Sequence, residues 1–210
     1  MKRLASSLFV FALAAGSAEQ FDVGVTGGVG IYHNATITRD SDSGTAGFKT
    51  GPILGAFITH NLYKHLAGQI RYEYQFDDLK VAAAGSEATF TGAAHAIHYD
   101  LLVLGGDENS ALRPYLAGGG GVKVYRGTGT EHATQTLGQW AALTKTQEWK
   151  PLATFGGGLR VKAGHRAHFY VEVRDYLTPF PTQVVAPVPP SKIKGWLHDF
   201  VPLAGVSIGF

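Results

Sequence analysis

Residues 69–76 read Gln-Ile-Arg-Tyr-Glu-Tyr-Gln-Phe. Gln69, Arg71, Glu73 and Gln75 occupy one set of alternate positions, and Ile70, Tyr72, Tyr74 and Phe76 the other. A period of two turns an extended strand into one wet and one greasy face, a separation no helix produces. The pattern recurs where His168, Tyr170, Glu172 and Arg174 alternate with Phe169, Val171 and Val173. It recurs again where Thr154, Arg160 and Lys162 oppose Ala153, Phe155, Leu159 and Val161.

Working outward, the same reading predicts eight strands, at about 20–33, 47–60, 67–77, 89–105, 112–126, 149–163, 166–176 and 198–210. In the second, Ile53 and Phe57 compete with Leu54 and Ile58 for the apolar face. The links alternate in length. Short ones lie around Asn61 to Leu66, Gly106 to Ala111 and Gly164 to His165. Long ones run from Asn34 to Ala46, Asp78 to Ala88, Gly127 to Glu148 and Leu177 to Leu197. Links sorted in this way are expected of a meander whose short turns all lie on one side of a membrane and whose long loops all lie on the other.

Composition supports a lipid-facing wall. Of 210 residues only 16% are charged, against roughly 25% in an ordinary soluble domain, and 28 are glycine. The polar faces carry Gly, Thr, Gln, His and Tyr with isolated charges, which suits a crowded lumen better than a wet exterior. No apolar run approaches the roughly 18 residues of a membrane helix. The absence of cysteine excludes disulfides, zinc fingers and a thiol nucleophile, and a net charge of +2 is too small to argue for nucleic acid.

The two ends carry targeting features. Met1, Lys2 and Arg3, then the apolar Leu4 to Ala15, then Gly16-Ser17-Ala18 read as a secretory signal peptide over residues 1–18, leaving 19–210 as the barrel domain. At the other end Phe200, Pro202, Ala204, Val206, Ile208 and Phe210 fall at two-residue steps. This resembles the C-terminal strand read by the barrel assembly machinery of outer-membrane proteins, with Phe200, Ala204, Val206, Ile208 and Phe210 as the signal. Pro202 is expected at a bulge or near the rim, because proline cannot complete a ladder.

Arg113-Pro114-Tyr115-Leu116 leading into Gly118 to Gly121, together with Val171-Glu172-Val173-Arg174-Asp175-Tyr176, resembles conserved stretches of the small outer-membrane β-barrel domain family of the OmpA and OmpX type. The resemblance spans about residues 20–210. It implies an all-β fold, a transmembrane eight-stranded antiparallel up-and-down barrel in the outer membrane, with both mature termini periplasmic. It carries no peptidoglycan-binding activity, since there is no room for that second domain. The partners it implies are outer-membrane lipid and lipopolysaccharide, the assembly machinery during biogenesis, and an extracellular partner for a monomeric barrel.

The third and seventh strands of such a barrel face each other across the lumen. Arg71 is expected to approach Glu172, and Glu73 to approach Arg174, with Asp100 and Arg160 as neighbours in the network; pairing with adjacent strands is the alternative. Gly118 to Gly121 and Gly156 to Gly158 are expected almost side by side as a thin, curved patch of wall rather than a phosphate loop, because Val122-Lys123-Val124-Tyr125 continues as strand. His95 with His98, and His165 with His168, are three apart and so on opposite faces, which leaves no metal site and places histidines at the surface or rim.

The functional expectation is a structural or interaction protein with a side-chain-filled lumen and long extracellular loops, serving adhesion or envelope integrity. Five prolines from Pro179 to Pro190 stiffen the fourth loop. The alternatives are a narrow gated channel and a lipid A-modifying barrel enzyme. The last needs a nucleophile beside a base; no His-x-Ser spacing occurs, and His132-Ala133-Thr134 is a poor substitute, so neither catalytic residues nor cofactors are expected.

Overall fold

The computed structural model describes residues 20–210. The leader expected over residues 1–18 lies outside the described residues. In chain order the strands are β1 (Phe21–His33), β2 (Ala35–Arg39), β3 (Asp42–Phe48), β4 (Gly51–Tyr63), β5 (Leu66–Gln75), β6 (Leu79–Ala83), β7 (Ser86–Phe90) and β8 (Gly92–Leu104). They continue with β9 (Leu112–Gly127), β10 (Ala141–Leu143), β11 (Gln147–Lys162), β12 (Ala167–Pro179), β13 (Val185–Pro187), β14 (Lys192–Lys194) and β15 (Trp196–Gly209).

Eight of these close into an antiparallel barrel in the order β1-β15-β12-β11-β9-β8-β5-β4. Each neighbours the next barrel strand in the chain, and β1 pairs with β15 to close the ring. The alternation read from residues 69–76 has a definite sense. Gln69, Arg71, Glu73 and Gln75 are fully buried in the lumen, while Ile70, Tyr72 and Phe76 are exposed on the outer wall. The same holds for buried Glu172 and Arg174 against exposed Phe169, Val171 and Val173. In β4 both faces are apolar: Ile53 and Phe57 fill the lumen, and Leu54 and Ile58 cover the wall. A continuous apolar exterior is unfavourable in water and favourable in lipid. Closure removes the sheet edges that lipid cannot hydrate. The fold is a membrane-spanning eight-stranded barrel.

Pro202 stands in the middle of β15, not at a bulge or rim. Pairing of β15 with β1 runs from Gly209–Asp22 to Leu203–Gly28 and resumes at Phe200–Ile31. The missing proline donor thus falls in a local gap beside Val29 and Gly30, with the register kept on either side.

The long links differ from the simple loops expected of them. They hold seven short strands, forming a five-stranded sheet β14-β2-β3-β6-β7 and a pair β10-β13. The β6–β7 connection is a two-residue turn, Ala84-Gly85, with φ of 50° and 75°, the positive values that a tight hairpin requires. Ile37, Phe48, Leu79, Val81, Trp140 and Val185 form part of one buried apolar cluster beneath these sheets. That cluster reaches into the barrel mouth, where Phe48 stacks on Tyr125 at 4.9 Å and tilts against Tyr32 at 5.1 Å. The links therefore make a folded cap with its own core.

Ile37 is fully buried in that core. Ile37→Ala should cost the cap about 2–5 kcal/mol. Limited proteolysis should then cut the links faster, while the barrel keeps its heat-dependent gel mobility; equal cleavage rates would show that the links are not a cooperative unit.

Candidate functional site

The lumen holds three tiers of polar side chains, each placed by the inward positions of several strands. The central tier is built on Arg71 and Glu73 from β5, His98 and Asp100 from β8, and Glu172 and Arg174 from β12. Arg71 Nη2 lies 2.6 Å from Glu172 Oε1, and Arg174 Nε lies 2.9 Å from Glu172 Oε2. One carboxylate is thus shared by two guanidinium groups from opposite walls. Tyr115 donates a further hydrogen bond to Glu172 Oε2 at 2.8 Å. Gln69 Oε1 accepts from both arginines at 3.0 Å. Arg174 also binds Asp100, which accepts from Thr154 and lies 3.0 Å from His98 Nδ1. A buried ion is tolerable only when partners approach it from several sides, and here opposite charges converge on Glu172 and Arg174, while Glu73 Oε2 and His98 Nε2 are buried without a hydrogen-bond partner among the described residues.

Glu73 does not meet Arg174; it lies 3.3 Å from Arg71 on its own strand. Arg174 turns to Glu172 and Asp100. Arg160 stands outside the central tier. It aligns with Arg113 on β9 and Tyr170 on β12, one level nearer the short turns, and pairs with Asp22 at 3.1 Å. Asn61 bridges this second tier, donating to Asp22 at 3.0 Å and accepting from Arg160 at 3.3 Å, with His168 Nδ1 3.4 Å from Asp22. Histidines 98 and 168 are consequently buried lumen groups rather than surface or rim residues. No group of three or more metal-ligating side chains with suitable placement occurs among the described residues.

The third tier lies under the cap. Lys123 Nζ is fully buried and donates to Asp199 at 2.8 Å and to Tyr32 at 2.7 Å, with Asp77 4.0 Å away. It sits over the rings of Tyr32 and Tyr125, at 4.9 and 5.2 Å from their centroids, so the cation is held by carboxylate and aromatic faces together. Sequence reasoning passed over Lys123, Asp199 and Asp22. The signal was present in the period of two, since each falls on the inward parity of its strand.

The glycine runs make room for these side chains. They occupy successive levels of the paired strands: Phe155 faces Gly118, Gly156 faces Ala117 and Gly158 faces Tyr115. A Cβ on Gly158 would stand 2.6 Å from Glu172 Cβ and 2.5 Å from Val171 O. One on Gly156 would stand 2.9 Å from Arg174 Cα, and one on Gly119 2.5 Å from Asp100 Oδ1. Inward glycines therefore sit where the charged tier crowds the wall. Outward Gly118 meets nothing nearer than 3.8 Å.

Comparison with solved structures finds outer-membrane barrels. Neisserial surface protein A is similar with a TM-score of 0.54 at 12% identity, covering 93% of this chain and 100% of that chain. The outer membrane protein OprG from Pseudomonas aeruginosa gives 0.51 at 14%, covering 91% and 94%. The N-terminal barrel domain of Pseudomonas aeruginosa OprF gives 0.50 at 12%, covering 91% and 98%. No family model and no curated protein matches the chain. At these identities the likeness is one of fold: the chain has the eight-stranded barrel architecture of the OmpA and OmpX type.

Glycine placement can be tested directly. Gly158→Val should abolish refolding to the compact, heat-modifiable form, whereas Gly118→Ala should refold like the parent. Equal yields for the two would contradict the assigned crowding.

Proposed function

We propose that this protein is a structural and interaction protein of the outer membrane, a sealed barrel that holds a folded cap outside the cell. The observation that carries the reading is the contact chain Arg71–Glu172–Arg174 across the middle of the lumen. Eight strands leave an interior just wide enough for side chains. Here that interior is filled by ion pairs, and the mouth is covered by the apolar cluster around Phe48 and Tyr125.

A display role follows from the cap. Its two sheets fix the long links into one surface, which favours adhesion to another surface or support of the envelope over passage of solutes. Both mature termini face the periplasm in this reading. The last strand, through Phe200, Ala204, Val206, Ile208 and Phe210, engages the assembly machinery, and the finished barrel works as a monomer among outer-membrane lipid and lipopolysaccharide. Catalysis has no part in the role.

Planar-bilayer recording tests the sealed lumen. Wild-type protein should show no discrete conductance steps in concentrated potassium chloride. Reproducible unitary steps from the folded protein would replace this reading with that of a narrow channel.

A further inference from the structure

The outward positions of the eight barrel strands carry very little charge. Among the described residues they hold one carboxylate, Asp175, and one Lys or Arg side chain, Arg126. Asp175 is accounted for: it is buried against the wall and its Oδ2 lies 2.9 Å from His198 Nδ1. Arg126 is exposed and makes no salt bridge or side-chain hydrogen bond among the described residues. An unpaired guanidinium facing lipid is unfavourable unless it lies at headgroup level and meets an anion there.

Its surroundings describe that anion. Arg126 stands at the long-link end of β9, level with Ala93 on β8 and Gln147 on β11. One row closer to the membrane centre, Tyr74, His95, Val124 and Trp149 lie side by side across β5, β8, β9 and β11. His95 and Trp149 are diagonal neighbours of Arg126, within reach of long side chains, and Arg126 acts electrostatically on His95. Tyr72 is hydrogen-bonded to His95 Nδ1 at 2.8 Å, and Tyr74 packs edge-on against the same ring at 5.0 Å. Ala93 and Val124 form a buried floor, while Trp149 remains 64% exposed. Tyr72, Tyr74 and His95 thus brace one another, Trp149 stands open beside them, and the Arg126 guanidinium has no ion-pair or hydrogen-bond partner among the described residues.

Below this row β9 turns Val122, Gly120 and Gly118 outward. Tyr99 and Leu101 border the glycines on β8, and Ala153 and Phe155 border them on β11. A trough one strand wide results, since Gly118 and Gly120 project no side chain between exposed Tyr99, Leu101 and Phe155. Along β9 from its long-link end the wall presents a guanidinium, then a row of aromatic faces, then a smooth apolar channel. Guanidinium matches phosphate through paired charge-assisted hydrogen bonds, aromatic faces suit a sugar ring, and the trough suits a hydrocarbon chain.

We propose that Arg126, with His95, Tyr74 and Trp149, binds the phosphorylated sugar headgroup of an outer-leaflet glycolipid, one acyl chain lying over Gly120 and Gly118. The inference rests on the outer-membrane reading, with the long links outside. Native mass spectrometry of the refolded protein in detergent, titrated with diphosphoryl lipid A, tests it. Wild type should retain the lipid; Arg126→Gln should bind about tenfold more weakly, and Arg126→Lys should recover part of the loss. Dephosphorylated lipid A and phosphatidylglycerol should each bind at least about tenfold more weakly than the diphosphoryl form, and inorganic phosphate should not compete. Binding by Arg126→Gln equal to wild type, or equal retention of phosphatidylglycerol, would overturn the site. Each sample is checked for its heat-modifiable band. A wild-type protein lacking that band overturns the barrel reading itself, whereas a normal band with undiminished Arg126→Gln binding overturns the site alone.

Discussion

The carboxylate of Glu172, held between the guanidinium groups of Arg71 and Arg174, is the interaction on which the interior depends. It joins β12 to β5 across the barrel, and both arginines of the central tier meet at it. Tyr115 donates to Glu172, Gln69 accepts from both arginines, and Asp100 takes the remaining face of Arg174. The wall conforms to this arrangement. Gly156 and Gly158 run alongside Arg174 and Glu172, and only positions without a Cβ let two long ionic side chains fold back against the strands beside them.

Apolar layers enclose the network. Phe57, Ala67, Leu102, Tyr115 and Tyr170 form one buried cluster, and Ile53, Ala96, Leu152, Tyr176 and Val201 another. Their low polarity strengthens attraction between the ions and raises the cost of leaving any one unpaired. The ring of Phe57 also lies 5.2 Å beneath the Arg71 guanidinium, so the apolar layer itself contributes to holding the cation. Above Lys123 the cap repeats the design of a soluble domain, with apolar residues inward and Thr, Ser and Lys outward. A single chain thus carries two opposite polarity patterns, one for lipid and one for water.

The barrel was legible because its strands are long enough for a period of two to emerge, and because Ile70 and Arg71, or Val171 and Glu172, contrast strongly. The cap strands were not legible. They are three to seven residues long, and Ile37, Val81 and Leu143 are isolated among small and polar neighbours. Side-chain pairing was harder still. Arg71 and Glu172 stand at similar distances from the starts of their strands, as do Glu73 and Arg174, yet only the first pair meets. Strands in a barrel are tilted and staggered, so equal steps along two strands do not give equal heights in the lumen. Long side chains then choose by reach, and Arg174 reaches Glu172 and Asp100. The unpaired Arg126 could be read only after the inward and outward parity of β9 had been fixed.

A double-mutant cycle on Arg71 and Glu172 tests the central interaction most directly. Folding free energies would be measured by reversible denaturation in detergent for the parent, Arg71→Met, Glu172→Gln and the double variant. The shared carboxylate predicts strong coupling, with the double variant departing from additivity by roughly 1–3 kcal/mol. Additive losses, within about 0.5 kcal/mol, would contradict it and show that the two side chains are accommodated independently.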